Sequence, residues 1–290
     1  MNIIEQGSGP ALVLIPGIQG RWEYIRPAVE SLSTSFRVIT FPLCDEPSSN
    51  LDFNRSQPFG SYVEQVLRAL NQSGIERAAV CGISFGGLIA LRFAAVHPER
   101  TAGLILVSTP GPAWHPRKRH EIYARVPHLF GPLFLVETPW RLRPELAAAF
   151  PELGARWRFA RLQLRTLFGA PLSLSRMAAR ARMIATAEVA ADCARIVAPT
   201  LVVTGERGLD RVVQVDDSSR YVLLIRGARG AVLERTGHLG SITRPAAFAA
   251  IVRDFVDRSV RLQPDRTRRV PLQPDGNRNV RLQPDRPEVA

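Results

Sequence analysis

The 290 residues carry 38 Lys and Arg against 26 Asp and Glu, a formal net charge of +12, with 46% hydrophobic and 22% charged side chains. This suits a globular chain of one large domain or two smaller ones, and the apolar runs fall short of the ~20 residues that span a bilayer. Lys118 is the sole lysine, so the positive charge is an arginine bias with no nucleic-acid-binding motif attached, and no nucleic-acid partner is expected.

Met1 to Pro10 has no basic segment ahead of an apolar stretch, so no secretory signal is read. Ala11 to Ile15 is a continuous apolar run stopped by Pro16-Gly17, a strand. A helix follows over about Arg21 to Ser33, a strand over Phe36 to Phe41 and an amphipathic helix over Gly60 to Asn71. Ala78 to Ile83 reads as a strand, Phe85 to Val96 as an apolar helix, and Thr101 to Val107 as a strand. From Pro110 to Ala191 the spacing is helical, with no convincing strand. After Pro199 the alternation resumes: a strand at Thr200 to Thr204, a helix at Val212 to Tyr221, a strand at Ala231 to Glu234 and a helix at Pro245 to Asp257.

Strands buried on both faces read as unbroken apolar runs, and helices between them imply parallel crossovers. The expected fold class is α/β, a doubly wound, mostly parallel sheet with an inserted helical cap over the carboxyl ends of the strands. The expected division is core over residues 1–110, cap over 111–191, core again over 192–258, and a disordered tail over 259–290. In that tail Val260-Arg-Leu-Gln-Pro-Asp265 returns as Val270-Pro-Leu-Gln-Pro-Asp275 and again unchanged at Val280, units too short and polar to bury a face. Cys44, Cys81 and Cys193 show neither a disulfide framework nor metal-ligand spacing. A cytoplasmic chain without a bound metal is expected.

Gly82-Ile83-Ser84-Phe85-Gly86 matches G-x-S-x-G, a weak pattern by itself. Its context sharpens it, because a strand leads in and an apolar helix leads out, as a nucleophile elbow requires. The sharp turn needs small residues two positions either side of the serine. It sets Ser84 at a helix N-terminus, where the Phe85 N–H faces a developing oxyanion.

These residues resemble the α/β-hydrolase superfamily, its capped esterase-like branch in particular, over roughly Ile3 to Val256. The resemblance implies the following roles. Leu14-Ile15-Pro16-Gly17-Ile18-Gln19-Gly20 stands for the oxyanion loop, with Pro16 where the family often has His and Ile18 N–H as the second donor. His238, in Gly237-His238 after the last strand, stands for the catalytic base. Asp210, in Gly205-Glu-Arg-Gly-Leu-Asp210-Arg-Val-Val213, stands for the acid that orients it, with Glu206, Asp216 and Asp217 as competitors. Met1 to Gly9 supplies one strand where the family often has a hairpin. Trp114, Tyr123, Phe130, Phe134 and Trp140 are candidates to line an apolar pocket. Leu153, Trp157, Ala160, Leu164 and Phe168 share one stripe, while Arg158, Arg161 and Arg165 share another, a solvated face or a site for an anionic substrate group.

The activity implied is hydrolysis of carboxylic esters of small, largely apolar substrates through Ser84, His238 and Asp210, with no cofactor and no metal. Serine at the elbow argues against the Asp-dependent dehalogenases and epoxide hydrolases. The alternatives are a C–C bond hydrolase of acidic ketones, a lactonase, thioesterase or perhydrolase, and a non-catalytic small-molecule receptor on the same fold.

Overall fold

The computed structural model describes residues 1–115, 121 and 125–259, without the side chains of residues 127, 128, 130–132, 134 and 135. The ten-residue repeats lie outside the described residues. The strands are β1 (Ile4–Gln6), β2 (Ala11–Ile15), β3 (Arg37–Thr40), β4 (Ala78–Ile83), β5 (Thr101–Val107), β6 (Thr200–Thr204) and β7 (Arg229–Val232). They form one sheet in the order β1-β3-β2-β4-β5-β6-β7, with β1 antiparallel to β3 and every other pair parallel.

The central strands are apolar throughout because both faces are covered. In β2, Val13 and Ile15 enter one core while Leu12 and Leu14 enter the other. In β4, Val80 faces the first and Ala79, Cys81 and Ile83 the second. Side chains alternate across a strand, so a strand with two buried faces has no polar position to spare. The helices α1 (Arg26–Leu32), α2 (Pro58–Gln72) and α3 (Phe85–Val96) fall between the early strands. The first core includes α2 and α3; the second includes α1 and the last helix.

Between β5 and β6 the chain leaves the sheet for α4 (Pro127–Ala149), α5 (Leu153–Gly169), α6 (Leu174–Ile184) and α7 (Val189–Arg195). Here α7 straddles the expected boundary at residue 191 and returns to the core, where Arg92 of α3 holds Asp192 at 2.6 Å. After β6 come α8 (Val215–Ser219), α9 (Tyr221–Leu224), α10 (Gly240–Thr243) and α11 (Pro245–Ser259). Among the described residues, no helix is long and apolar enough to cross a membrane.

Three expectations shift. The helix expected over Val212 to Tyr221 starts at Val215 and breaks into α8 and α9, because the Asp210 carboxylate takes the Val212 and Val213 N–H groups. The last strand lies at Arg229–Val232 rather than Ala231 to Glu234; it is the sheet edge and mostly exposed, so no apolar run marks it. The helix near Arg21 opens as a tight turn over Trp22–Ile25 before the α-helix proper begins at Arg26, with Pro27 in its first turn.

Candidate active site

Every loop at the site leaves the carboxyl end of a parallel strand: β2 into Pro16-Gly17-Ile18, β4 into Ser84, β6 into the Asp210 loop and β7 into the His238 loop. Ser84 has φ 53° and ψ −119°, a conformation L-residues rarely adopt, which costs ~1–3 kcal/mol. The surroundings hold it there: its N–H donates to Val107 O at 2.8 Å, and its carbonyl accepts from Gly87 N–H at 2.8 Å. The glycines have a direct cause. A Cβ on Gly86 would lie 2.5 Å from the Ile15 and Pro16 carbonyl oxygens, and one on Gly82 would strike the Gly86 carbonyl.

The turn brings together residues far apart in sequence. His238 Nε2 lies 3.1 Å from Ser84 Oγ, and His238 Nδ1 lies 3.2 Å from Asp210 Oδ2. With the carboxylate accepting, the proton sits on Nδ1 and Nε2 is free to accept from the serine hydroxyl. Asp210 is fixed in turn, its Oδ1 accepting from Val212 N–H at 2.9 Å and Val213 N–H at 2.8 Å. Burial works against the imidazolium, but the Asp210 charge and hydrogen bond outweigh it, and with Glu145 they hold the His238 pKa above its ordinary value.

The rival acids have other work. Glu206 accepts from Arg235 N–H at 2.7 Å, while its own N–H donates to Thr236 O at 2.8 Å, bracing the histidine loop. Asp216 pairs with Arg207 at 2.7 Å, and Asp217 accepts from Ala113 N–H at 3.1 Å. His97 sits beside Glu99, at 3.3 Å, and His115 is exposed.

The N–H groups of Ile18, in the loop after β2, and of Phe85, next to the serine, meet no acceptor among the described residues. Phe85 N–H opens α3, where the helix dipole favours negative charge.

Two further residues that bond to these loops were not singled out from the sequence, and both come from the helices between β5 and β6. Glu145 of α4 is fully buried, and its Oε1 accepts from Leu239 N–H at 2.6 Å, next to His238. Burial raises its pKa, against the opposing pull of the Gly237 and Leu239 backbone and of His238. Arg180 of α6 is fully buried; it reaches Asp45 and Glu46 at 2.6 Å each and donates to Ile18 O at 2.8 Å. It thereby ties the loop after β2 to α6 and to the Asp45-Glu46 segment. No local pattern marks either residue, because their partners lie 94 to 162 positions away.

The expected pocket aromatics divide. Trp114 is half-buried, with its Nε1 donating to Val212 O at 3.5 Å, next to the Asp210 loop. Trp140 is largely exposed, so the structure does not place it in a covered apolar wall; the face of α4 that carries it turns to solvent. The side chains of Phe130 and Phe134 and all of Tyr123 lie outside the described residues. Arg158, Arg161 and Arg165 are exposed. Among the described residues no cluster of His, Cys, Asp and Glu is arranged to hold a metal ion.

Comparison with known proteins matches residues 12–251 to the alpha/beta hydrolase family. A protein named "Putative carbamate hydrolase RutD" from Pseudomonas savastanoi pv. phaseolicola is 26% identical over 264 residues, 87% of this chain and 96% of that protein. The 3-oxoadipate enol-lactonase 1 of Acinetobacter baylyi is 26% identical over 269 residues, 86% of this chain and 89% of that one. The crystal structure of the enol-lactonase from Burkholderia xenovorans LB400 superposes with a TM-score of 0.71 at 22% identity, covering 88% of this chain and 96% of its own. The sheet order, the elbow and the family match over most of the chain agree: this chain belongs to the alpha/beta hydrolase family.

Proposed function

We propose that the protein is a serine hydrolase of carboxylic esters of small, largely apolar substrates. The observation that carries this reading is the continuous chain from Ser84 Oγ through His238 to Asp210, with links of 3.1 and 3.2 Å. Ser84 Oγ attacks the ester carbonyl carbon as its proton passes to His238 Nε2. The tetrahedral oxyanion accepts from Ile18 and Phe85 N–H, each such donor being worth ~3–4 kcal/mol in the transition state. Asp210 stabilises the imidazolium without taking its proton. His238 then protonates the departing alkoxide, leaving an acyl-serine. Water attacks that ester, giving its proton to Nε2, and the carboxylic acid leaves as Ser84 regains its hydrogen.

No metal or cofactor is required by this sequence of steps. The three cysteines are buried and unpaired, which supports a reducing, cytoplasmic setting. Lactones, as cyclic esters, fall within the same reading, and the two relatives named as enol-lactonases support including them. Hydrolysis of C–C bonds in acidic ketones calls for a cation to hold the substrate acid group, and Arg180 is committed to Asp45 and Glu46, Arg156 to Phe150 O, while Arg158, Arg161 and Arg165 are exposed.

A panel of p-nitrophenyl esters and simple lactones tests the proposal. The wild type hydrolyses short-chain members, and Ser84→Ala lowers kcat/KM by at least ~10³-fold. Equal rates for wild type and variant would remove Ser84 from the mechanism.

A further inference from the structure

Helix α5 turns an apolar line to solvent. Leu153, Trp157, Leu164 and Phe168 are 68%, 76%, 53% and 80% exposed, and none of the helix's residues is fully buried. With Ala160 they recur at i, i+4, i+7, i+11 and i+15, so they share one face about 22 Å long. The inner side is held by modest contacts, such as the Phe159 ring at 5.3 Å from Phe150. Single exposed apolar side chains are ordinary; a continuous row of large ones marks an interaction surface. The preceding cap helix exposes a similar row, Leu129, Leu133, Val136 and Trp140.

Charge identifies the partner. Residues 153–169 contain four arginines and no Asp or Glu. Arg158, Arg161 and Arg165 run beside the apolar row, and among the described residues they make no ion pair or hydrogen bond. A second copy docked along the same row would set one arginine row against another. An anionic surface instead neutralises all three while it covers the apolar row. The face is an exposed helix side, with no residue of the helix buried. A headgroup layer needs only an apolar row with basic flanks.

We propose that α5 is a docking surface for the anionic face of a lipid bilayer. The helix lies in the plane of the headgroups. Trp157 and Phe168 enter the acyl boundary, and Arg158, Arg161 and Arg165 meet lipid phosphates. The net charge of +12 adds long-range attraction to the same surface. The inference is independent of the hydrolase reading, because it rests on no residue of the catalytic arrangement.

The test is co-sedimentation of the full chain with vesicles of phosphatidylcholine alone and of phosphatidylcholine mixed with phosphatidylglycerol, with tryptophan emission as a second readout. The wild type sediments with the mixed vesicles, stays in solution with the neutral ones, and shows a blue shift on binding. Two variants, Trp157→Ser with Phe168→Ser, and Arg158→Gln with Arg161→Gln and Arg165→Gln, each lose at least ~10-fold in partitioning. Because every altered residue is exposed, both variants keep the wild-type melting midpoint. Wild type remaining in solution with anionic vesicles overturns the proposal, and so do variants that bind like wild type. A wild-type dimer in sedimentation velocity that the Trp157→Ser, Phe168→Ser pair disperses assigns the face to a second copy. Binding to polyglutamate but not to vesicles assigns it to an acidic protein. Either result overturns the lipid assignment.

Discussion

At the scale of single residues, the pH response of His238 is the sharpest consequence of the geometry. Its pKa lies above the ordinary histidine value because Asp210 and Glu145 favour the imidazolium more than burial disfavours it. The base works only when neutral, so kcat/KM should rise with pH through that elevated midpoint. The same shift makes protonated His238 stabilising: this contribution is complete below the unfolded-state pKa and is lost as pH rises through the folded one. Glu145→Gln keeps an acceptor for Leu239 N–H but removes a charge beside the imidazole. The acid limb of the kcat/KM profile should therefore move to lower pH in this variant, with little change in melting temperature. An unmoved limb would show that Glu145 acts on the loop alone. The two anchoring residues of the cap were not legible in sequence for a physical reason. A buried carboxylate or guanidinium is recognised by its partners, and those of Glu145 and Arg180 come from distant loops. Ser84 stood out because it sits at a strand-to-helix junction whose local pattern of apolar residues and glycines is dictated by the turn itself, whereas His238 was read through the family resemblance, since no apolar run marks the exposed strand before it.

At the scale of elements, the glycines of the elbow and the arginine over the oxyanion loop have separable effects. Gly86→Ala places a methyl group against the Ile15 and Pro16 carbonyls, so the loop carrying Ile18 must move. Activity should fall by at least ~10²-fold through loss of an oxyanion donor, read as a drop in kcat for a p-nitrophenyl ester. Arg180→Ala leaves the buried Asp45 and Glu46 carboxylates without their main cation. It should cost about 3–5 kcal/mol of stability in denaturant unfolding. A cost under ~1 kcal/mol would mean that the cluster relaxes into solvent. The elements read most accurately from sequence were β2, β4, α3, β5 and β6, whose bounds match residue for residue. All five lie deep in the fold, where burial leaves uninterrupted apolar runs. The short helices after β6 and the edge strand β7 were displaced or split, because side-chain hydrogen bonds and partial exposure set their ends. The apolar row of α5 was visible as a row, but its burial was not, since periodicity marks a face without saying what lies against it.

At the scale of the whole molecule, the architecture is a mostly parallel sheet that delivers four loops to one rim, and the helices between β5 and β6 bond to those loops. Arg180 holds the loop after β2 and Glu145 the loop that carries His238. The fold class followed from alternation of apolar runs and helical spacing, and the interruption after β5 was legible because strand-like runs cease there. The chemistry depends on whether Ser84 is an activated nucleophile in the assembled protein. Intact-mass analysis after brief exposure to a fluorophosphonate measures this most directly. The account predicts one phosphonyl adduct on wild type, mapped to Ser84. It predicts none on Ser84→Ala and slow labelling of His238→Ala. A folded wild-type chain that takes no adduct would contradict it, leaving a hydrolase fold that binds its ligand without turning it over.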